Sequence, residues 1–232
     1  MKSIRPILFA LLVSLTRCCC AQGFVNLNFE SANVNGYSPG SSDVPINNAI
    51  PGWTASYYQS SFGNEPASHV WYDAISIGGA IISVNDTNTG FGFTPLQGKF
   101  SAFLFGGTSD ASATISQTAL VPINSQSIQL EVGNYMAIGF FTVALNGQTI
   151  SMSPLATFST YTLFGGDVSL FANQVSTLSI TALGVASGPG PNPVLLDNIQ
   201  FSTTAVPEPS EFALAALGTL LLGFRRWKSS SQ

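Results

Sequence analysis

The stretch FTVALNGQTISM, Phe141–Met152, constrains the fold of this chain more than any other. Asn146-Gly147 sits between two alternating runs, and both residues tolerate the positive φ that a type I′ turn needs at its central positions. A two-residue loop leaves one register. Leu145 then faces Gln148, Val143 faces Ile150, Phe141 faces Met152, and Thr142 faces Ser151 on the other side. Val143–Ile150 and Phe141–Met152 put apolar against apolar, and Thr142–Ser151 polar against polar. A slip of one residue would turn every side chain to the wrong face.

The same period of two runs from Phe24 to Thr204, with no helical period to compete with it. SIQLEV points Ile128, Leu130 and Val132 one way and Ser127, Gln129 and Glu131 the other; STLSITA does the same with Leu178 and Ile180 against Thr177, Ser179 and Thr181. Further strands are predicted at Phe24–Glu30, Val70–Tyr72, Ala80–Asn85, Phe100–Phe105, Ala113–Leu120, Thr157–Leu163 and Val194–Ser202. The segments between them, such as NVNGYSPGSSDVPINN and GVASGPGPNP, are rich in turn formers. About ten strands in about 180 residues predict an all-β domain over residues 22–204: two antiparallel sheets packed face to face as a β-sandwich.

Charge separates this body from its two ends. The basic residues are Lys2, Arg5, Arg17, Lys99, Arg225, Arg226 and Lys228, so Lys99 is the only one between Gln22 and Thr204. Nine acids lie in that interval (Glu30, Asp43, Glu65, Asp73, Asp86, Asp110, Glu131, Asp167 and Asp197), which with Lys99 gives the body a net charge of −8. A surface this acidic lacks the cations that would displace counterions from phosphates, which excludes nucleic acid as a partner. Cys18, Cys19 and Cys20 are the only cysteines, so the body has neither a disulfide scaffold nor a thiol nucleophile.

NLNFES as a first strand, AIPGW soon after it, and LLDNIQFS as the closing strand resemble the galactose-binding-like jelly rolls of carbohydrate-binding modules and related secreted bacterial proteins. The resemblance covers Phe24 to Ser202 and implies a jelly-roll topology and a sugar-binding or structural role.

Catalytic patterns fare poorly. GYSPG, Gly36–Gly40, matches G-x-S-x-G, but the residue after the serine is Pro39, which has no N–H for an oxyanion hole. His69 is the single histidine, and Asp73 on the same strand face would stand about 13 Å away, too far for a hydrogen bond. A lone histidine cannot build a zinc site. A glycan hydrolase needs only two carboxylates, and the nine acids show no pairing signal. The chain is therefore read as non-enzymatic, with a glycan hydrolase as the last alternative.

Alternation in VLLDNIQFS places Asp197 with Leu195, Ile199 and Phe201, toward the core. A buried carboxylate needs a partner. Backbone N–H groups or an asparagine at the sheet end would serve, and so would a structural calcium ion shared with Glu30 and backbone carbonyls, since hard oxygen ligands suit calcium. The jelly-roll resemblance implies such an ion between first and last strands; no other cofactor is expected. NDTNTG, Asn85–Gly90, spaces Asp86 and Asn88 like the start of a calcium loop but lacks the later acid. For glycan binding the candidates are Trp71, Tyr57 and Tyr58, with Trp71 flanked by His69 and Asp73 on an outward face and Trp53 expected to fill the core.

The two ends read as addresses. Residues 1–21 carry Lys2 and Arg5, an apolar run from Ile7 to Leu15 and small residues before a cut after Ala21, the layout of a secretory signal peptide. Arg17, directly before Cys18, argues against a lipoprotein site. In residues 205–232, Pro207-Glu208-Pro209 precedes the uncharged run Phe212–Phe224 and then Arg225, Arg226 and Lys228. Counted over 210–227, the apolar segment just reaches across a bilayer core of about 30 Å, and the basic cluster holds its far end in the cytoplasm. This tail resembles the PEP-CTERM sorting signal of Gram-negative-type bacteria. The resemblance implies transient residence in the inner membrane and recognition of Pro207, Glu208 and Pro209 by an exosortase-type enzyme. Delivery to the cell surface or an exopolysaccharide matrix would follow, exopolysaccharide being the expected glycan partner.

Overall fold

The computed structural model describes residues 23–75, 78–87, 93–107, 110–134, 140–184 and 193–206. The signal segment 1–21, the sorting motif Pro207-Glu208-Pro209, the apolar segment 210–227 with its flank Arg225, Arg226 and Lys228, and Asn88 lie outside these residues. Among the described residues no helix is long and apolar enough to cross a membrane.

Within them the chain forms β1 (Val44–Pro45), β2 (Thr54–Gln59), β3 (Gly63–Ala67), β4 (His69–Tyr72), β5 (Ile81–Asp86), β6 (Phe100–Phe105) and β7 (Ser112–Leu120). It continues through β8 (Ser127–Gly133), β9 (Phe141–Leu145), β10 (Gln148–Ile150), β11 (Ser153–Thr157), β12 (Tyr161–Asp167), β13 (Val175–Leu183) and β14 (Val194–Ser202). One sheet has the order β1-β4-β5-β6-β14-β8-β12-β11 and the other β10-β9-β13-β7-β2-β3. Their inner faces meet in one core that includes Trp53, Phe29, Leu104, Ile115, Leu145 and Leu178. The two-sheet β-sandwich is the architecture that the alternation predicts.

The Asn-Gly hairpin forms in the expected register, with Leu145 opposite Gln148 and Val143 opposite Ile150. Asn146 and Gly147 have φ of 50° and 78°. The ladder ends at Ile150, because the chain then crosses to β11 in the other sheet. The pairs Phe141–Met152 and Thr142–Ser151 are therefore absent from it, although Phe141 and Met152 both pack on the core.

Three expectations are corrected. Phe24–Glu30 is not a strand: Asn26 and Phe29 take φ of 51° and 59°, and Phe29 N–H donates to Asn26 O at 3.3 Å. The place of a neighbouring strand is taken by the Gln117 amide, which accepts from Val25 N–H at 2.6 Å and donates to Val25 O at 3.0 Å. Turned this way, Phe29 buries against Trp53 with ring centroids 5.8 Å apart. Thr157–Leu163 is likewise not continuous; the chain turns at 158–160, and Phe158 N–H donates to Tyr161 O at 2.8 Å. Finally, β4 and β5 run parallel, with Trp71 opposite Ser83. Asp73, at φ 45°, takes the chain off the sheet after a strand of four residues, so the return across it is short.

A bulge in β14 positions the candidate site. Asn198 has φ 46°, and the pairing to β8 shifts between Asp197 and Gln200. The extra residue lets Leu196 and Ile199 both enter the core while Asp197 points to the opposite face.

Candidate functional site

The outer face of the larger sheet is where the polar chemistry collects. Leu195, Phe103, Phe105, Ile81 and Ala74 form a small second core there, covered by Phe93 and Leu96 of the segment before β6. Phe93 lies on Phe103 at 5.2 Å between centroids. Leu96 reaches Gly133, where a Cβ would stand 3.3 Å from its Cδ2.

Asp197 is buried beneath this cover, not in the inter-sheet core as simple alternation predicts; the Asn198 bulge makes the difference. Its Oδ2 accepts from Gln97 N–H at 3.0 Å and from Ser101 Oγ–H at 2.7 Å, and its Oδ1 from Asn198 N–H at 2.7 Å. Ser101 Oγ in turn accepts from Leu96 N–H at 2.9 Å. Backbone N–H groups thus supply the partners, one of the two alternatives open for this carboxylate. Glu131 stands directly opposite Asp197 in the ladder. Its Oε1 accepts from Asn198 Nδ2 at 3.1 Å and Gln97 Nε2 at 3.4 Å. Its Oε2 is buried and has no hydrogen-bond partner among the described residues.

Glu30 grips the same turn from the other side. Its Oε1 accepts from Lys99 N–H at 2.9 Å and Phe100 N–H at 3.0 Å. The segment that carries it is tied to β14 where Ile199 N–H donates to Leu27 O at 2.9 Å. Gly98, at φ 54°, passes so close that a Cβ there would lie on the Glu30 carboxylate. Asn28, Glu30, Gln97, Gly98, Asp197 and Asn198 line one cleft of about 270 Å³. The structure therefore brings Glu30 and Asp197 to a common cleft whose side-chain acceptors are all oxygens. Among the described residues no cluster of three or more Asp, Glu, His or Cys is placed to hold a metal, so any ion here would draw on the amide oxygens of Asn28, Gln97 and Asn198.

Burial pushes the Asp197 carboxyl up to about 6, against the bonds from Ser101, Gln97 and Asn198, with the Glu131 charge adding to the rise. The one lysine of the body does not relieve this crowding: Lys99 Nζ lies over the Phe100 ring at 4.7 Å from its centroid.

A second buried acid pair lies at the end of β4. Asp73 is fully buried, not on the outward face with His69 and Trp71, because its positive φ rotates it inward. Its Oδ1 accepts from Asp86 N–H at 2.9 Å, while Asp86 Oδ2 accepts from the Tyr72 hydroxyl at 3.0 Å. Burial first, then the hydrogen bond and charge of Asp86, push Asp73 up to about 7. Its Oδ2 is buried and has no hydrogen-bond partner among the described residues. His69 is exposed, with Nδ1 3.0 Å from Ser68 Oγ.

The aromatic candidates do not converge. Trp71 is 36% exposed on the outer face of the larger sheet. Tyr57 packs on the core, where its hydroxyl oxygen accepts from Ile82 N–H at 3.3 Å and burial raises its pKa. Tyr58, one residue on, is 43% exposed on the outer face of the smaller sheet. Glu131, Gln97 and Ser101 are the site residues that sequence reasoning misses. Glu131 alternates with core residues as a solvent-facing residue would, and only the distant segment folding over it buries it.

No protein-family model matches the chain, and no curated protein does. Among solved structures it is similar to a β-glucosidase from Kluyveromyces marxianus in complex with glucose, at 13% identity and a TM-score of 0.29, over 82% of this chain and 20% of that one. The chain thus spans about a fifth of that enzyme.

The two raised carboxyls set a pH dependence. Unfolded, both titrate near pH 4; folded, Asp73 and Asp197 hold their protons up to about 7 and about 6. The folded state therefore binds more protons across this window, and stability falls as pH rises through it and then levels. Urea midpoints measured in chelator at about pH 4 and about pH 8 are expected to show the loss, and Asp73→Asn to reduce it. A wild-type midpoint that rises over the same interval contradicts the assignment.

Proposed function

We propose that this chain is an exported, non-enzymatic surface or extracellular-matrix protein. In this reading residues 1–21 direct export, the 210–227 segment holds the precursor in the inner membrane, and Arg225, Arg226 and Lys228 stay on the cytoplasmic side. An exosortase-type enzyme reads Pro207, Glu208 and Pro209 and releases a jelly-roll body to the cell surface or matrix. The observation that carries a structural rather than catalytic reading is the use made of the cleft carboxylates. Glu30 and Asp197 accept hydrogen bonds from the backbone of a single turn, which fixes that turn and gives both carboxylates a structural task.

The same cleft fits a structural calcium ion held by Glu30 and Asp197 with the neighbouring amide oxygens. Its donors are oxygens only, it is rich in uncompensated carboxylate charge, and Gly98 leaves it the room a Cβ would fill. The ion would supply positive charge where the body provides none. Asp197, held partly protonated by burial, would release its proton on binding.

A second reading, an exopolysaccharide-binding module, is favoured by the exposed aromatics Trp71 and Tyr58.

Two measurements test these readings. The intact mass of the extracellular form is expected to lack Arg225 and Arg226; a secreted form that retains them overturns the sorting reading. Calcium at about 100 times its Kd is expected to raise Tm by on the order of 5–10 °C, and Asp197→Asn to abolish the rise. An unchanged Tm in excess calcium overturns the metal reading.

A further inference from the structure

The outer face of the smaller sheet differs from the rest of the molecule. Of its six strands, β2, β7, β9, β10 and β13 contain no charged residue, in a body that carries nine acids; β3 contributes Glu65, which stands opposite the core-facing Tyr57 and so off this outer face. Its outward positions are mostly Thr and Ser, and their hydroxyls pair across strands: Thr114 with Thr181 at 2.8 Å, Thr118 with Thr177 at 2.7 Å, and Thr54 with Ser116 at 2.8 Å. Such pairs fix hydroxyls in rows about 4.8 Å apart across strands and about 6.8 Å apart along them. The two Thr–Thr pairs each still have a donor and acceptors to offer, whereas Thr54 also donates to Ser116 O at 3.0 Å, which leaves its pair with acceptors only.

One transverse row is different again. Tyr58 is opposite Ser112, Ser112 opposite Leu183, and Leu183 N–H donates to Phe140 O at 2.8 Å. Tyr58, Leu183 and Phe140 are 43%, 40% and 69% exposed, and Phe62, in the turn that follows β2, is 73% exposed. This is a line of exposed apolar side chains across the strand ends, with hydroxyl rows on one side. On the other side, Asp110 stands fully exposed, its carboxylate hydrogen-bonded to Ser60 of the same turn, which lowers its pKa.

Aromatic faces for C–H surfaces, fixed hydroxyls and one ionised acceptor are what an uncharged polyol chain needs, and the acid at the rim disfavours a polyanion. We infer that this face binds an extended, uncharged glycan lying across the strands along the line from Tyr58 to Phe140. A repeating ligand suits a repeating face, and a sugar residue in an extended chain is about as long as one strand is wide. The inference deepens the glycan-binding reading and rests on it. It locates the contact on the smaller sheet, away from Trp71.

Affinity electrophoresis of the full chain in a polyoxyethylene detergent tests it, with neutral hydroxyethyl cellulose or anionic alginate in the gel. Retardation by the neutral polymer alone is expected. Tyr58→Ala and Phe140→Ala are each expected to weaken it about tenfold, and Trp71→Ala to leave it unchanged. Retardation lost in Trp71→Ala but kept in both other variants overturns this face while sparing the glycan reading. Retardation by alginate alone overturns this inference while sparing the glycan reading, and retardation by neither polymer overturns both. Self-association by light scattering that Tyr58→Ala removes, without retardation by the polymer, makes the face a contact between copies and overturns the inference as well.

Discussion

Two carboxylates from opposite ends of the domain hold one turn, and much of the larger sheet depends on that grip. Glu30 and Asp197 between them accept the backbone N–H groups of Gln97, Lys99 and Phe100. Each of those groups would cost about 1–3 kcal/mol if buried without a partner. The same grip lays Phe93 and Leu96 over Phe103 and Leu195, so the outer face of the sheet gains a second core. It also creates the tension at the site, because it buries Asp197 opposite Glu131 with Lys99 engaged elsewhere. Protons relieve part of that tension at low pH, and a calcium ion would relieve it at neutral pH.

What the sequence makes legible is what local geometry decides. The Asn146-Gly147 hairpin is readable because two residues at positive φ fix a register within a dozen positions. Strands such as Ser127–Gly133 and Val175–Leu183 are readable because alternation survives along their length. The errors lie where a non-local partner or a single inserted residue changes the pattern. Phe24–Glu30 alternates like a strand, but the Gln117 side chain replaces the neighbour it would need. Asp197 is correctly read as buried and needing partners, yet the Asn198 bulge puts it on the other face from Ile199 and Phe201. The pairing of Glu30 with Asp197 at one cleft was legible only through the family resemblance, and Glu131 not at all.

The sandwich shows two unlike outer faces. That of the larger sheet is partly roofed and gathers buried acids, so it is suited to holding itself together. That of the smaller sheet is open, uncharged and lined with hydroxyls beside exposed aromatics, so it is suited to meeting something neutral. A body with a net charge of −8 repels polyanions and other copies. Division of labour between a self-fastening face and a contact face supports the proposed reading of a protein that is placed at a surface and adheres there.

The grip of Glu30 and Asp197 is the centre of this account, and amide hydrogen exchange reads it residue by residue. The amides of Gln97, Lys99 and Phe100 are expected to exchange far more slowly than an open turn would allow. Glu30→Ala should release Lys99 and Phe100 without unfolding the Asn146-Gly147 hairpin on the other sheet. Free exchange of all three amides in the unaltered protein would contradict the account.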